Sequence, residues 1–140
     1  PAAQRVRLLR LALAGQTDCE IDDQEIGRGG VSYTIETVRN YARNFPRAAL
    51  YCLIGADHVS QLPLWREAGE LAKLVEFVVI PRPGQALVET PRPFRSRPLR
   101  GFPLGVSASQ IRDRVRAGLP IHLLVPSAVA EAIHAAQLFR

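Results

Sequence analysis

Segments with a helical spacing of apolar residues alternate along the chain with short, continuous apolar runs. Apolar residues recur at helical spacing over residues 5–14 and Gly15 follows, which predicts an amphipathic helix that ends at a glycine. Residues 17–21 are then expected to form a short strand. Residues 22–30 are polar and glycine-rich, which favours a loop.

The middle of the chain continues this alternation. Ser32 is expected to cap a second helix that runs to about Asn44. Residues 48–54 are continuously apolar, a pattern typical of a strand buried on both faces of a parallel sheet. A third helix is predicted over residues 65–74 and a second buried strand over residues 75–80. Alternating strands and helices predict an α/β fold with a layered sheet.

The last third of the chain opens with a proline-rich segment, residues 81–103. We expect a long loop there, with a short extended piece near residues 100–104, and loops of this length are usually functional or mobile. Helical spacing returns at Ser107, where the sequence Ser-Ala-Ser-Gln fits a capping box. This helix is expected to end near Gly118, and a final amphipathic helix is predicted over residues 126–137.

Length and composition indicate one ordinary globular domain over residues 1–140. Apolar residues make up 47% of the chain and charged residues 22%, which argues against a disordered or fibrous protein. Cys19 and Cys52 lie far apart without a metal-binding spacing, so both are expected to be inert core thiols in a reducing compartment. No apolar run is long enough to span a membrane, and the expected location is cytoplasmic.

The basic residues are almost all arginine, 17 of 18, and they are unevenly distributed. Residues 82–116 hold eight arginines against Glu89 and Asp113, a net charge of +6, whereas the whole chain carries +5. Arginine suits phosphate and carboxylate oxygens, so an anionic partner is one explanation and genome base composition is another. Arg112 follows the helix start at Ser107, where a bound phosphate chain or simple solvation would account for it.

Three further places carry candidate chemistry, each with a structural alternative. Gly55 and Asp57 follow a predicted strand, where a carboxylate could accept hydrogen bonds from a ribose diol or merely cap a helix. Residues 32–34 form a hydroxylated helix start. Trp65, the only tryptophan, is either a core residue or a platform for ring stacking. The three histidines lack a ligand-like spacing, and no catalytic role is assigned to them.

In their order along the chain, several segments resemble the carboxyl-terminal two-thirds of bacterial nicotinate-nucleotide adenylyltransferases. The segments are RVRLLRLALAG, VSYTIETV, LIGADHVSQLPLW, the strand that ends in RPG, and VSASQIRDRV. The resemblance implies a Rossmann-like nucleotidyltransferase fold with three layers and a mostly parallel sheet. It also implies adenylyl transfer from ATP to nicotinate mononucleotide in NAD biosynthesis, with Mg²⁺ that accompanies ATP and no metal ligands from the protein.

The resemblance implies a role for each matching residue. The residues that would bind nicotinate mononucleotide are Ser32, Tyr33, Thr34 and Trp65. Those that would line the groove at a ribose are Gly55 and Asp57, and those that would bind the ATP phosphates are Ser107, Ser109 and Arg112. Ser109 stands where the family has threonine, which keeps the hydroxyl group.

One departure concerns the amino-terminal H-x-G-H element of the family, which does not occur in the 140 residues. We therefore expect the strand and helix that carry it to be missing from this chain, and the chain alone to be inactive. A complementing amino-terminal fragment or a homo-oligomer is a possible partner. The alternatives are a basic module that binds phosphates or nucleic acid without catalysis, for which few aromatic residues are available, and a truncated, non-catalytic paralogue that acts as a partner subunit.

Overall fold

The computed structural model describes three stretches of the chain, residues 1–84, 89–101 and 105–140. The chain divides into two compact units. The first consists of Pro1–Arg28 with Val106–Arg140, and the second of Gly29–Gly105. Each unit is described by itself below, and the expectation of one domain over residues 1–140 stays a prediction.

The elements alternate much as expected along the chain. The helices of the first unit are α1 (Ala2–Ala12), α2 (Gln24–Arg28), α5 (Ala108–Arg116) and α6 (Ser127–Ala135). The elements of the second unit are α3 (Thr34–Asn44), β1 (Leu50–Gly55), a 3₁₀ helix (Ala56–Leu64), α4 (Ala68–Leu74), β2 (Val75–Ile80) and β3 (Ser96–Pro98).

The second unit is built on a parallel sheet with the strand order β1-β2-β3. β1 and β2 pair in register from Leu50 beside Val75 to Gly55 beside Ile80. The shorter β3 pairs with the middle of β2. Parallel strands joined by helical segments are the architecture that the alternating pattern predicts, so this part of the prediction is confirmed.

One face of this sheet carries the core of the second unit. Val75 and Phe77 of β2 are buried in a cluster with residues of α3, α4 and the 3₁₀ helix. Side chains alternate between the two faces of a strand, and on the other face of β1 Tyr51 is 47% exposed and Leu53 is 60% exposed. The prediction that β1 is buried on both faces is therefore wrong, because the core cluster covers only one of them.

Phe77 is the centre of an aromatic group inside this core. Its ring meets Trp65 at 6.1 Å between centroids and Phe94 at 5.9 Å, and both contacts are edge-to-face. Phe77 is fully buried. Aromatic pairs of this geometry contribute about 0.5–1.5 kcal/mol beyond the area that they bury, so the core fixes one side of the Trp65 ring.

The first unit has its own small core, formed by Ile111 of α5, Ile121, and Val129 and Ile133 of α6, with leucines of α1 packed against it. The capping box predicted at the start of α5 is confirmed. The Ser107 hydroxyl oxygen accepts a hydrogen bond from the Gln110 N–H, and the Gln110 side chain accepts one from the Ser107 N–H.

Several predicted boundaries differ from the observed ones. Residues 17–21 form no strand, since an extended segment becomes a strand only when it pairs with another. The predicted loop over residues 22–30 contains the short helix α2. The helix expected from residue 65 begins at Ala68, because residues 65–67 form a turn after the 3₁₀ helix ends at Leu64. The extended piece expected near residues 100–104 is found earlier, as β3, and residues 102–104 lie outside the described part of the chain.

The two cysteines differ in their surroundings. Cys19 is exposed, so the prediction that it is a core thiol is wrong. Cys52 is partly buried in β1, and this burial raises the pKa of its thiol. Within the described stretches, none of the helices has both the length and the apolar character that a membrane span requires.

An arginine of α3 joins this helix to the start of α4. The Arg39 Nε donates to Oε1 of Glu70 at 2.8 Å, its Nη1 donates to Oε1 of Glu67 at 3.1 Å, and its Nη2 contacts both carboxylates. These hydrogen bonds lower the pKa of both glutamates. Glu67 precedes α4 in the left-handed region, at a φ of 52°, a conformation that non-glycine residues adopt rarely.

Replacing Arg39 with glutamine should make folding less sensitive to acid. A lowered pKa in the folded state stabilises the protein above the ordinary value of 4.5, and this stabilisation is lost as the pH falls through the lowered value. In Arg39→Gln, the fall in the free energy of unfolding between about pH 6 and about pH 3 should be smaller than in the unmodified protein.

Urea unfolding at each pH measures this difference. Arg43→Gln is the matched control, because Arg43 lies on the same helix and donates to the backbone carbonyl oxygen of Arg39 instead of to a carboxylate. Equal acid sensitivity in the two variants would contradict the role given to Arg39.

Candidate functional site

The amino-terminal end of α3 carries the three residues expected to meet a carboxylate. Tyr33, in an extended conformation, is the N-cap residue and makes no side-chain capping bond. The prediction that Ser32 caps this helix is therefore wrong, because the helix begins one residue further on, at Thr34. Helix geometry gives the first N–H groups no acceptor within the helix, and the positive end of the helix dipole favours an anion there.

A guanidinium group lies against the ring of Tyr33. The Arg66 Cζ is 4.3 Å from the ring centroid, which is the geometry of a cation–π contact. Arg66 also lies 3.8 Å from a carboxylate oxygen of Glu36 and 3.8 Å from one of Glu67. The residue that follows Trp65 therefore contacts the residue at the start of α3.

Trp65 is a core residue whose ring is not fully buried, so the stacking role that the sequence left open stays a prediction. It is partly buried and packs on the core through Phe77. The ring of His58 stands at 65° to its ring, with 6.5 Å between their centroids. A ring that is anchored on one side and partly exposed is able to serve both as a core residue and as a stacking platform.

Gly55 and Asp57 stand where β1 ends and the 3₁₀ helix begins. A Cβ atom added at Gly55 would lie 2.5 Å from Oδ1 of Asp57, so any side chain at position 55 would displace this carboxylate. The hydrogen bond from its own backbone N–H, assisted by the charges of His58 and Arg82, lowers the pKa of Asp57. The carboxylate is therefore an ionised hydrogen-bond acceptor at the carboxyl end of the sheet.

Two neighbours of Asp57 were not singled out from the sequence. Its Oδ1 lies 3.5 Å from the Nε of Arg82, and its Oδ2 lies 3.7 Å from the Nε2 of His58. Arg82 lies two residues after the end of β2. The rule that ligands bind beyond the carboxyl ends of parallel strands applies to both β1 and β2, and it would have pointed to Arg82.

The start of α5 presents hydroxyl and guanidinium groups in the first unit. The Nη2 of Arg112 donates to Oγ of Ser109 at 3.0 Å. The capping box engages the N–H groups of Ser107 and Gln110, and helix geometry leaves those of Ala108 and Ser109 without an intrahelical acceptor. This combination of free N–H donors, hydroxyl groups and a fixed positive charge is suited to binding phosphate.

The other two arginines of α5 have local partners. Arg114 donates two hydrogen bonds to the carbonyl oxygen of Pro120, and Arg116 pairs with Asp113 at 2.7 Å. Arg116 is therefore a surface arginine that pairs with Asp113, whereas the side chain of Arg112 lies at the helix start.

The predicted site residues fall into two groups, one in each unit. The second unit holds Ser32, Tyr33, Thr34, Gly55, Asp57 and Trp65, and the first unit holds Ser107, Ser109 and Arg112. Within the second unit, contacts run from Asp57 through His58 to Trp65, and from Arg66 to Tyr33. The assignment of these residues to a substrate stays a prediction.

Neither a cluster of metal ligands nor a cavity adds a further candidate site among the described residues. Over residues 1–84, 89–101 and 105–140, no three histidine, cysteine or carboxylate side chains are grouped as a metal ion would require. A groove of about 930 Å³ lies in the first unit between the carboxyl-terminal part of α5, residues 118–122 and α6. It contains none of the predicted site residues.

Comparison with known proteins supplies the family. Residues 1–114 match the cytidylyltransferase-like family model. Curated relatives named probable nicotinate-nucleotide adenylyltransferases match most of the chain, and one from Opitutus terrae is 38% identical over 139 residues, which cover 97% of this chain and 71% of the relative. The chain belongs to the nicotinate-nucleotide adenylyltransferase family.

Two other relatives bear the same name. The one from Geobacillus kaustophilus is 43% identical over 125 residues, which cover 89% of this chain and 56% of that protein. The one from Herpetosiphon aurantiacus is 34% identical over 145 residues, which cover 99% of this chain and 73% of that protein. This chain therefore spans between about half and three quarters of the length of these family members.

Solved structures bear on the fold. Plasmodium falciparum nicotinic acid mononucleotide adenylyltransferase, complexed with APC, superposes with a TM-score of 0.75 at 14% identity. The match covers 98% of this chain and 75% of the Plasmodium chain. The same enzyme complexed with NaAD gives a TM-score of 0.72 at 13% identity and covers 98% of this chain and 73% of its own. The predicted Rossmann-like nucleotidyltransferase fold and the family resemblance are both confirmed.

A side chain at position 55 should disturb the site without unfolding the protein. In Gly55→Ala the new Cβ overlaps Oδ1 of Asp57, so this carboxylate must move and ligand binding at the carboxyl end of β1 should weaken about tenfold or more. The φ of Gly55 is −70°, so the effect would be due to space and not to backbone strain. Calorimetric titration with nicotinate mononucleotide measures it.

Gly69→Ala is the control, because a Cβ at this position in α4 meets nothing within 4 Å. Unchanged affinity in Gly55→Ala would show that the position of Asp57 does not matter for binding.

Proposed function

We propose that the protein transfers the adenylyl group of ATP to nicotinate mononucleotide. A phosphate oxygen of nicotinate mononucleotide would form a bond to the α-phosphorus of ATP as the bond from that phosphorus to the β-phosphate bridging oxygen breaks. The products are nicotinate adenine dinucleotide and pyrophosphate. The names and coverage of the family members support this reaction. Catalysis of this kind depends on holding two anionic reactants in line and on stabilising the charge that develops.

The second unit would bind nicotinate mononucleotide. The start of α3 lacks a side-chain cap, so its N–H groups at Thr34 and beyond would meet the carboxylate of the pyridine ring. Trp65, anchored by Phe77, would stack on that ring. The Arg66 guanidinium lies on Tyr33 beside the same helix start, where the carboxylates of Glu36 and Glu67 partly balance its charge.

Asp57 would recognise a ribose. Its carboxylate is held in the ionised form, and an ionised carboxylate only accepts hydrogen bonds. The two hydroxyl groups of a ribose diol are suitable donors. Gly55 leaves the space that this carboxylate occupies.

The start of α5 would bind the phosphates of ATP. Ser107 already accepts the Gln110 N–H through its oxygen, and its hydroxyl hydrogen remains able to donate. Arg112 and the Ser109 hydroxyl are held together by a hydrogen bond of 3.0 Å. We propose that phosphate oxygens engage these groups and the N–H groups of the first helical turn.

Mg²⁺ would accompany ATP. The described residues contain no cluster of three ligating side chains, and Mg²⁺ at nucleotide sites is commonly held by substrate phosphates and water. When bound, the ion would neutralise phosphate charge. The chain's own residues would orient the reactants.

Binding of nucleic acid by the basic segment is the weaker candidate. Two arginines of this segment have close partners within the chain, since Arg114 donates to the carbonyl oxygen of Pro120 and Arg116 pairs with Asp113 at 2.7 Å. Groups engaged in this way are less available to a phosphate backbone. The expected inactivity of the 140 residues alone, the partner fragment, the homo-oligomer and the cytoplasmic location stay predictions.

Removing the indole of Trp65 should affect one substrate selectively. In Trp65→Ala, the KM for nicotinate mononucleotide should rise about tenfold, because the stacking platform is lost, and the KM for ATP should change much less. Pyrophosphate release by the full-length protein measures both constants. Trp65→Phe keeps a ring against Phe77 and should retain most of the affinity. Absence of pyrophosphate release from the unmodified protein would overturn the proposed function.

Removing the guanidinium of Arg112 should have the opposite selectivity. In Arg112→Ala, the KM for ATP should rise about tenfold and turnover should fall, because a charge-assisted contact to phosphate is lost. Arg116→Ala is the matched control on the same helix, since Arg116 is already paired with Asp113. Equal effects of the two substitutions would show that α5 contributes only general positive charge.

A further inference from the structure

Arg82 lies beside Asp57 at the proposed binding site, and none of the contacts proposed above for the two substrates involves it. It follows β2, whose last residue, Ile80, pairs with Gly55 at the end of β1. The segments after both strands therefore start at the same edge of the sheet. A Cβ atom at Gly55 would lie 3.7 Å from the Nη2 of Arg82, so the guanidinium stands directly over the end of β1.

The contact between Arg82 and Asp57 is open and long. The Nε and Oδ1 atoms are 3.5 Å apart, and the two side chains are 41% and 47% exposed. Exposed ion pairs of this kind contribute little to stability. Among the residues that the structure describes, Asp57 is the one carboxylate within ion-pair distance of Arg82. A ligand could therefore replace Asp57 as the partner of the guanidinium at a small cost in free energy.

A nucleotide offers a matching set of groups to this pair. Its ribose hydroxyls donate to a carboxylate and its 5′-phosphate accepts from a guanidinium, and both groups belong to one sugar phosphate. Trp65, on which the pyridine ring would stack, is linked to Asp57 through His58. A ring on Trp65 and a ribose on Asp57 would leave the 5′-phosphate near the guanidinium.

We propose that Arg82 binds the 5′-phosphate of nicotinate mononucleotide, and that it exchanges its contact with Asp57 for this phosphate when the nucleotide binds. This assignment rests on the proposed function. Arginine forms paired hydrogen bonds with phosphate in a way that lysine does not. Arg82 would thus hold the attacking phosphate while Asp57 is released to the ribose.

The test compares ligands that differ only in the phosphate. Nicotinate mononucleotide, nicotinate riboside and ATP are titrated calorimetrically into the full-length protein and its Arg82→Gln variant. We expect Arg82→Gln to weaken the mononucleotide about tenfold or more and to change the affinity for the riboside and for ATP less than about twofold. The affinity of Arg82→Lys for the mononucleotide should lie between that of the unmodified protein and that of Arg82→Gln, because lysine keeps the charge without the paired donors.

Arg97→Gln is the matched control. Like Arg82, Arg97 belongs to the second unit and lies 3.5 Å from a carboxylate oxygen, in its case that of Glu76. It lies within β3, however, beside the middle of β2. It should leave all three affinities unchanged. Urea unfolding of each variant shows whether the fold is retained, and Arg82→Lys serves if Arg82→Gln is unstable.

Four results would overturn the assignment. Equal weakening of the mononucleotide and the riboside would mean that Arg82 acts only by positioning Asp57. Weakening of ATP alone would assign Arg82 to the other substrate. If the unmodified protein binds nicotinate mononucleotide but Arg82→Gln binds it equally well, the inference fails while the proposed function stands. If the unmodified protein binds none of the ligands, the proposed function fails and the assignment fails with it.

Discussion

Six consecutive residue pairs hold β1 and β2 parallel, from Leu50 beside Val75 to Gly55 beside Ile80. Because parallel strands end at the same edge, this pairing decides which residues of the following segments meet. It brings Asp57 and Arg82, 25 positions apart in the chain, to within ion-pair distance. A register slip by one residue would turn every side chain of one strand to the other face and would separate this pair.

The same core that stabilises the second unit also positions its candidate binding groups. Trp65 packs on Phe77, and Tyr33 and Trp65 both lie against the main apolar cluster. Arg39 connects α3, which begins beside Tyr33, with the start of α4, which follows Trp65. Substitutions at these residues therefore alter folding and binding together, whereas Asp57 and Arg82 are exposed and can be changed with little effect on the fold.

The sequence predicts elements well where the local signal is strong. β2 has the expected bounds, because a mostly apolar run between a helix and a proline has few alternatives. The capping box at Ser107 depends on neighbouring residues only. The exposure of Leu53 and the absence of a strand over residues 17–21 were not predictable, since burial and pairing depend on elements distant in the chain. Arg82 was missed as a neighbour of Asp57, although the rule that ligands bind beyond the carboxyl ends of parallel strands points to the segment after β2 as well.

The arginine excess illustrates how structure separates charges that the sequence cannot distinguish. Arg114 donates to a backbone carbonyl oxygen and Arg116 pairs with Asp113, so these two stabilise local structure. Among the described residues, Arg112 bonds to the hydroxyl group of Ser109, at a helix start that favours anions. Arg82 faces a single carboxylate across an open contact. Net charge of a segment therefore indicates an anionic partner only through those guanidinium groups whose local partners are weak enough to be replaced.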